Sequence, residues 1–334
     1  MEGNLNTITL LSVGDASTDT FITPTDTQTF CQINEKDCLI CFAYGDKIPV
    51  SSLEFSTGGN AANNAVGVKR LGINSGILIT TGDDLVGNQI LKTLTDERVD
   101  TTYAFQQKET RSNYSTVINY SGERTIFVYH APRSYEFPVQ LEAAPWMYLT
   151  SMGENFEPFY NHMAEFMKKN TQIKLGFNPG SWQFRAGVDK LKNILELTYI
   201  LFVNKEEAEK LTGLSPATDG EKDLLTALSK LGPKISIITD GENGSYAYDG
   251  SRYTKVGILP VNAFERTGAG DAFGSGCLAA LIKGKTLDEG MLWGLSNSSS
   301  VIGYTGPQKG LLHDSEIPMW LDRCRSSNVK VEEF

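Results

Sequence analysis

The sequence is poor in the side chains that build metal centres, disulfide frameworks and nucleophile–histidine pairs. Among its 334 residues are five cysteines and three histidines. The odd cysteine count and the single Cys-x-x-Cys, Cys38 and Cys41, favour reduced structural thiols over a zinc or redox site. The histidines, His130, His162 and His313, are too scattered to indicate a triad with a serine. The sequence therefore gives no support to a zinc site, a redox thiol pair or a serine triad.

Positive charge and long apolar runs are also lacking. The formal net charge of −10 argues against a general binder of nucleic acids or acidic membranes. No stretch approaches the roughly twenty apolar residues of a membrane span, and no charged-then-apolar signal opens the chain. We therefore expect a cytoplasmic protein with neither nucleic acid nor membrane as partner. Because 40% of its residues are hydrophobic, a sizeable core is expected.

Short apolar runs alternate with amphipathic segments along most of the chain. The runs that predict strands are 8–13, 76–80, 146–150, 173–177, 199–203 and 235–239, with two more β-like runs after residue 246. The segments that predict helices are 63–71, 85–94, 158–168, 190–197, 205–211, 221–231, 271–283, 287–303 and 315–324. This alternation indicates a parallel sheet covered by helices on both faces, with ligands at the carboxyl ends of the strands. Residues 1–334 are predicted to form one domain.

Two segments, at about 18–57 and 101–130, break the alternation. Both are rich in β-branched and aromatic residues with Gly, Asp and Pro turns, so they predict hairpins that stand apart from the core. Within the first, residues 23–56 are longer than a simple hairpin requires, and the sequence gives no reason for the extra length. The charged end of the chain, 330–334, is predicted to be mobile.

One segment, 267–273 (Thr-Gly-Ala-Gly-Asp-Ala-Phe), combines a close backbone approach with a carboxylate. The small residues Gly268, Ala269 and Gly270 let a ligand approach the backbone, and the following helix turns its unpaired N–H groups towards that ligand. Asp271 lies in the first helical turn and could accept a proton from a group held there. Amides for a phosphate beside a proton acceptor are what phosphoryl transfer to a hydroxyl requires. The alternative is a glycine-rich turn whose aspartate merely favours a helix N-terminus.

A second glycine-containing segment, beginning at residue 58, is suited to hydroxyl groups. Gly58 and Gly59 precede a predicted helix, and Asn60 and Asn63 lie three residues apart on one face of its start. Amide side chains both donate and accept hydrogen bonds, which suits sugar hydroxyls. The alternative is that Asn60 caps the helix while Asn63 is solvated.

Five further short motifs are spread along the sequence in a recognisable order. They are 14–19 (Gly-Asp-Ala-Ser-Thr-Asp), 82–87 (Gly-Asp-Asp-Leu-Val-Gly), 204–207 (Asn-Lys-Glu-Glu), 239–244 (Thr-Asp-Gly-Glu-Asn-Gly) and Asn297 ahead of Gly303 and Gly306. With the two glycine-containing segments, they resemble the ribokinase-like (PfkB-type) carbohydrate kinases over nearly the whole chain. One such turn is weak evidence, but the full set in this order and spacing is specific.

The resemblance implies a three-layer α/β/α fold with a mostly parallel central sheet and a small β lid formed by the two hairpin segments. It also implies ATP-dependent transfer of the γ-phosphoryl group to a sugar hydroxyl, with Mg²⁺ and with Asp271 as general base. The anion hole would be formed by Gly268, Ala269, Gly270 and the amide of Asp271. The sugar would be bound by Asp19, Gly58, Gly59, Asn60 and Asn63. The nucleotide would be bound by Asn204, Glu207, Thr239, Gly241, Gly244 and Asn297, with Glu207 holding the metal through water. Some relatives dimerise through the lid, so a homodimer is a further expectation.

The sequence departs from the family pattern at several positions. Glu265 replaces an aspartate that helps to hold a monovalent cation in the family, which leaves potassium dependence open. Arg266 adds a positive charge that could steer phosphate or pair with Glu265. Ser17 and Asn60 stand where ribokinases proper often have asparagine and lysine, so ribose is not specifically indicated.

The acceptor and two other functions remain open at this level. A nucleoside would need a stacking wall, for which the candidates are Phe42, Tyr44, Phe55, Tyr114 and Tyr120. A sugar acid would need a positive partner, for which the candidates are Arg111, Arg124 and Arg133. A catalytically silent sugar or nucleotide sensor would share the fold. A dinucleotide-dependent oxidoreductase would need Gly-x-Gly-x-x-Gly after the first strand, but Gly14 is followed by Asp15 and Ala16.

Overall fold

Alternating apolar and amphipathic segments produce a layered α/β structure. It is a computed structural model, which describes residues 7–25, 28–31, 38–120, 123–215 and 220–334. The strands in the described residues are β1 (Leu10–Val13), β2 (Ser17–Pro24), β3 (Gln28–Cys31), β4 (Cys38–Cys41), β5 (Val50–Gly58), β6 (Ser75–Gly82), β7 (Asp100–Gln107), β8 (Asn113–Tyr120), β9 (Glu123–Tyr129), β10 (Trp146–Leu149), β11 (Lys174–Phe177), β12 (Thr198–Asn204), β13 (Ile235–Thr239), β14 (Ser245–Tyr248), β15 (Tyr253–Val256) and β16 (Val331–Glu333). The α-helices are α1 (Asn60–Arg70), α2 (Leu85–Asp96), α3 (Glu157–Lys169), α4 (Ser181–Ala186), α5 (Val188–Leu195), α6 (Lys205–Thr212), α7 (Glu221–Lys230), α8 (Ala269–Ile282), α9 (Leu287–Val301) and α10 (Ile317–Ser326).

The large sheet has ten strands in the order β16-β15-β14-β13-β12-β11-β10-β1-β6-β7. The seven strands from β13 to β7 pair in parallel, and β14, β15 and β16 continue the sheet in antiparallel fashion. The central strands β1 and β10 are buried throughout, because helices cover both faces. One apolar cluster joins the sheet to α3, α5, α6 and α7, and two others join it to α1, α2, α8, α9 and α10. The predicted three-layer fold with a mostly parallel sheet is confirmed.

A smaller sheet, which we call the lid, has the order β5-β2-β8-β9. Its outer pairs are antiparallel hairpin pairings, and β2 and β8 join them in parallel. Strands β3 and β4 form a separate two-stranded ribbon within the long 23–56 segment, of which residues 26–27 and 32–37 lie outside the described residues.

Two local predictions were wrong. Strand β7 falls in the predicted 101–130 lid segment, yet it pairs in parallel with β6 at the edge of the large sheet. Half-buried edge strands and hairpin strands share the same alternating pattern, so the sequence did not separate them. The chain end is not a mobile tail, because β16 pairs with β15 and the Phe334 ring lies 5.4 Å from that of Tyr246. In the described residues, no helix is long and apolar enough to cross a membrane.

The N-termini of α1 and α8 lie side by side where the parallel strands end. The two helices pack closely because Gly67 of α1 has no side chain: a Cβ there would lie 2.4 Å from Ser275 Oγ of α8. The loop before each helix carries one of the two glycine-containing segments. The fold therefore brings residues 58–63 and 267–271 together, although about two hundred residues separate them in the chain.

Candidate active site

The start of α8 separates two cavities. The lid-side cavity, of about 370 Å³, is lined by Asp15, Asp19, Gly59, Asn60, Asn63, Gly268 and Asp271 and by residues of the lid. The turn-side cavity, of about 490 Å³, is lined by Asn204, Thr239, Gly241, Gly244, Ala269 and Gly270. Successive residues of one helical turn therefore face two different spaces.

Gly268 sets the direction of this turn. It precedes α8 with φ 79°, in the left-handed region that favours glycine, and a Cβ there would lie 2.7 Å from Pro307 Cα. The first amides of α8 have no carbonyl partner within the helix, so they and the positive end of the helix dipole are available to an anion. Ala269 N already donates to Arg266 O at 3.3 Å, which leaves the amides of Gly270 and Asp271 at the helix start. Ala269 and Gly270 line the turn-side cavity.

Asp271 lies at the floor of the lid-side cavity. Its Oδ2 accepts a hydrogen bond from Asn63 Nδ2 at 2.8 Å, and Asn63 Oδ1 accepts one from Gln308 Nε2 at 3.0 Å. Burial raises the pKa of Asp271 to about 6, the negative charge of Asp19 adds to this, and the Asn63 bond opposes it. Asp271 is therefore ionised at neutral pH, yet it is a stronger base than an exposed aspartate.

Asp19 packs closely against the backbone of Gly58, and Gly59 packs against that of Ala16. Asp19 lies on β2, accepts a hydrogen bond from Ser17 Oγ at 3.1 Å, and has a pKa raised by burial. A Cβ on Gly58 would lie 2.0 Å from Asp19 Oδ2, and one on Gly59 would lie 2.6 Å from Ala16 Cα. Gly58, which was expected at the sugar site, does not line the lid-side cavity. It leaves room for the Asp19 carboxylate.

Asn60 and Asn63 have different environments. Gly59 is the N-cap residue of α1 and no side chain caps the helix, so capping by Asn60 was the wrong alternative. Asn60 Nδ2 donates to Asn178 Oδ1 at 3.2 Å and lines the cavity. Asn63 is only 3% exposed and is committed to Asp271 and Gln308, so solvation was also wrong for it.

Sequence reasoning missed Asp15 as a residue of the lid-side cavity. The Tyr135 hydroxyl donates to this carboxylate, 2.9 Å from Oδ1 and 3.1 Å from Oδ2, and accepts from Gly153 N at 2.7 Å. Burial raises the pKa of Asp15 to about 6. The aspartate belongs to the recognised 14–19 element, but Tyr135 lies far along the chain, so no local signal pairs them.

The side chains around the lid-side cavity are acidic, neutral polar or apolar. Among the described residues that line it there is no lysine or arginine. Arg133 donates to the carbonyls of Thr80 and Arg111, and Arg124 lines the turn-side cavity. The one histidine, His130, has its pKa lowered by burial and by nearby arginines, which favours the neutral form.

The lid supplies an apolar wall, but not from the predicted aromatic residues. Phe42, Tyr44, Phe55, Tyr114 and Tyr120 do not line the lid-side cavity. Its lid residues include Val117, Ile126, Val128 and Tyr129. These four come from the two strands of one hairpin, whose face towards the cavity is visible only once register and sheet are known.

The turn-side cavity takes its shape from a tight hairpin turn. Thr239 ends β13, and a 3₁₀ turn, Gly241–Asn243, leads to β14. Gly244 has φ 91°, and a Cβ there would lie 2.2 Å from Val256 O. The expected nucleotide-binding residues Thr239, Gly241 and Gly244 thus lie in a hairpin turn that lines this cavity. Arg266 lies at the same cavity, where its Nη2 contacts Glu242 Oε1 at 2.9 Å rather than Glu265.

Asn204 and Glu207 cap α6 reciprocally. Asn204 Oδ1 accepts from Glu207 N at 2.8 Å, and Glu207 Oε2 accepts from Asn204 N at 2.9 Å. Asn204 lines the turn-side cavity and Glu207 does not. Burial raises the pKa of Glu207, and the charge of Asp271 contributes. The described residues hold no group of three or more potential metal ligands. The donor set suits Mg²⁺ only in its common mode, held by phosphates, waters and one or two carboxylates.

Asn297 does not face the turn-side cavity, contrary to its predicted role in nucleotide binding. It is fully buried, with Nδ2 donating to Ala272 O and Ser275 Oγ and Oδ1 accepting from Leu312 N. The next two residues, Ser298 and Ser299, line the cavity instead. One helical residue turns the side chain by about 100°, so a one-residue assignment error changes the face.

Glu265 is buried and fully engaged. Its Oε1 accepts from Thr267 N at 2.7 Å, its Oε2 accepts from Gly306 N at 3.3 Å, and Arg124 Nη1 of the lid lies 3.9 Å from Oε1. A guanidinium thus provides the positive charge beside this carboxylate. The arrangement does not fit a monovalent cation held by Glu265.

Comparisons with known proteins identify the family of this chain. The sequence profile described as pfkB family carbohydrate kinase matches residues 27–314. The chain therefore belongs to the pfkB family of carbohydrate kinases. It is 26% identical to an ATP-dependent 6-phosphofructokinase from Thermoanaerobacterium thermosaccharolyticum, over 80% of this chain and 85% of the relative. It is 29% identical to a nucleoside kinase from Methanocaldococcus jannaschii, over 79% of this chain and 85% of the relative.

The fold is that of solved pfkB-type structures. The structure of a putative ribokinase II from E. coli in complex with ATP and Mg²⁺ superposes with a TM-score of 0.77. It covers 95% of this chain and 100% of its own, at 18% sequence identity, which establishes the fold alone. The expected family, the ribokinase-like fold and the general activity of an ATP-dependent carbohydrate or nucleoside kinase are confirmed.

Proposed function

We propose that this pfkB-family kinase transfers the γ-phosphoryl group of ATP to a hydroxyl of a small uncharged sugar. The observation that carries the proposal is the placement of one helical turn between two cavities. Asp271 lines the lid-side cavity, while Ala269 and Gly270, the two residues before it, line the turn-side cavity. A nucleotide on one side and an acceptor on the other would meet at this turn.

Asp271 is proposed as the general base. A sugar hydroxyl has a pKa far above neutrality, so its proton must leave as the new O–P bond forms. The Asp271 carboxylate accepts that proton, and its pKa of about 6 keeps it ionised at neutral pH. The amides at the start of α8 stabilise the negative charge that spreads over the transferred phosphoryl oxygens.

The turn-side cavity is proposed to hold ATP. Thr239, Gly241 and Gly244 offer a compact polar turn, while Leu259, Val261 and Phe273 form apolar walls suited to a base. Asn204 lies at this cavity and holds Glu207, whose Oε1 accepts no hydrogen bond from the described residues and could bind a metal-bound water. Mg²⁺, when bound to the phosphates, supplies charge neutralisation for the transfer.

The acceptor is proposed to be uncharged because of the charge around the lid-side cavity. Asp15, Asp19 and Asp271 contribute carboxylates, and no lysine or arginine among the described lining residues balances an anionic acceptor. A phosphorylated sugar or a sugar acid would face repulsion there. Asp19 and Asn60 instead offer acceptors and donors to neutral hydroxyls, with Gly59 allowing close approach.

A ribonucleoside is the second candidate acceptor. The apolar side chains Val117, Ile126 and Val128 form a wall of the lid that could cover a nucleobase. The relative that is a nucleoside kinase supports this alternative, and the carboxylates would serve the ribose hydroxyls equally well.

Residues 1–334 are proposed to act as one kinase domain whose lid closes over the acceptor. The outer face of the lid exposes Leu53, Phe55 and Phe127, at 55%, 66% and 60% exposure. Such side chains suit contact with a second copy, so a homodimer through the lid stays a prediction.

The test is coupled ADP release from ATP and Mg²⁺ with a panel of acceptors. We expect turnover with a neutral sugar or a ribonucleoside and none with sugar phosphates or sugar acids. Preference for a charged acceptor would contradict the proposed acceptor class. ATP binding without turnover on any acceptor would support a silent sensor instead.

A further inference from the structure

A side-chain relay leads from the proposed base to a loop outside the lid-side cavity. Gln308 Nε2 donates to Asn63 Oδ1 at 3.0 Å, and Asn63 Nδ2 donates to Asp271 Oδ2 at 2.8 Å. Gln308 and Asn63 are 5% and 3% exposed, so water does not replace either bond freely. Each amide can satisfy its neighbour in only one orientation.

The direction of the relay is set from both ends, because the Asp271 carboxylate only accepts and Gln308 donates to Asn63. An asparagine amide can flip, and a flipped Asn63 would direct its carbonyl oxygen at the Asp271 carboxylate, which is repulsive. The donor from Gln308 reinforces this choice, because it holds the Asn63 carbonyl towards the loop and so keeps the NH₂ group directed at Asp271. The orientation of the base therefore depends on a residue that does not line the lid-side cavity.

The loop that carries Gln308 is held without its side chain. Arg70 Nη1 donates to Gln308 O at 2.7 Å and to Leu311 O at 3.1 Å, while Arg70 pairs with Glu97. Asn297 Oδ1 accepts from Leu312 N at 2.8 Å. Because these contacts use backbone groups of the loop, changing the Gln308 side chain should leave the loop in place.

We propose that Gln308 is a positioning residue that orients Asp271 through the amide of Asn63. The inference rests on the proposed role of Asp271 as general base and adds a residue to which no role in the reaction had been assigned. Gln308 contacts neither substrate; it fixes the direction in which the base presents its second oxygen.

Three other ionisable groups interact electrostatically with Asp271, and none of them is altered by a change at Gln308. The charge of Asp19 raises the pKa of Asp271, whereas the Asn63 bond lowers it. The charge of Asp271 in turn helps to raise the pKa of Glu207 and of Tyr148, for both of which burial is the main cause. Loosening the Asn63 bond should raise the pKa of Asp271 and move the acid limb of kcat/KM to higher pH.

The experiment compares Gln308→Met, which keeps the side-chain length but cannot donate, with Lys309→Ala as a matched control. Lys309 lies on the same loop and pairs with Glu54 of the lid at 3.7 Å, outside the relay. We expect Gln308→Met to lower kcat about tenfold, the size expected for one buried hydrogen bond, with KM for ATP within about twofold. Lys309→Ala should keep the wild-type kcat and acid limb.

Two results would overturn the relay. One is a Gln308→Met enzyme with wild-type kcat and acid limb, and the other is an equal loss in Lys309→Ala, which would indicate general damage to the loop. Failure of the proposed function is distinguishable by a carboxyl-carbon NMR titration of the free protein, with Asp271→Asn to assign the signal. The relay predicts a higher pKa of Asp271 in Gln308→Met whether or not any acceptor turns over.

Discussion

The two cavities on either side of α8 are built in opposite ways. The lid-side cavity is lined by polar side chains with fixed partners, such as Asp19 with Ser17 and Asp271 with Asn63, and by strands of the lid. The turn-side cavity combines small residues of tight turns with apolar walls such as Leu259 and Phe273, and it has the exposed charge of Arg266 at its edge. Acidic groups dominate the first, and amide dipoles and arginines lie at the second.

This difference matches what each proposed ligand needs. A polyphosphate carries its own charge and is held by amides and cations, which a local turn followed by a helix can supply. A neutral hydroxyl acceptor needs donors and acceptors fixed in direction, and such groups must be held by long-range contacts. Substitutions at the lid-side cavity should therefore change KM for the acceptor, and substitutions at the turn-side cavity should change KM for ATP.

The largest effect is expected where the cavities meet. Asp271→Asn should retain the fold and ATP binding, because an asparagine oxygen can still accept from Asn63, and should lower kcat by about 10²–10⁴-fold. Steady-state kinetics with ATP-binding calorimetry would measure both quantities. The control is Asp96→Asn, an exposed residue paired with Lys92. Near-wild-type turnover of Asp271→Asn would remove this residue from the chemistry.

A smaller and one-sided effect is expected from Gly58→Ala. The new Cβ would lie 2.0 Å from Asp19 Oδ2, so the carboxylate must move and lose its contact with the acceptor. We expect KM for the acceptor to rise roughly 10–100-fold, as for loss of a hydrogen bond to a charged group, with KM for ATP unchanged. Gly257→Ala is the control, since its Cβ would meet nothing within 4 Å. A rise in KM for ATP instead would place Asp19 on the wrong side of the site.

The same contrast explains what the sequence could predict. A turn that offers its backbone groups to a ligand is encoded by a few neighbouring residues. Gly241, Gly244 and the segment 267–271 were therefore recognisable from the local sequence alone. The partners of Asp271 and Asp15 were not, because Asn63, Gln308 and Tyr135 are brought in by the packing of α1 against α8 and by distant loops. Asn63 was identified as a site residue, but with the acceptor rather than the base as its partner.

The fold was predictable to a similar degree. The periodicity identified the parallel strands other than β7, and most helices, since each buries an apolar face of characteristic spacing. Sheet membership was not encoded locally, so β7 was assigned to the lid and the three-residue β16 was missed. The lid wall of Val117, Ile126 and Val128 was likewise unrecognised, because its direction depends on strand register.

The smallest effect concerns potassium, and it tests how the lid is joined to the turn-side cavity. Arg124 lies beside Glu265, and a backbone amide donates to each of its carboxylate oxygens. The carboxylate is therefore already partnered, and an added cation should gain little by binding there. We expect potassium chloride, compared with choline chloride at equal ionic strength, to change kcat/KM by less than about twofold. In Arg124→Gln the buried carboxylate loses its guanidinium, and a monovalent cation should then become able to restore activity. Strong potassium activation of the wild-type enzyme would show that Arg124 does not substitute for the ion, whereas a response confined to Arg124→Gln would show that it does.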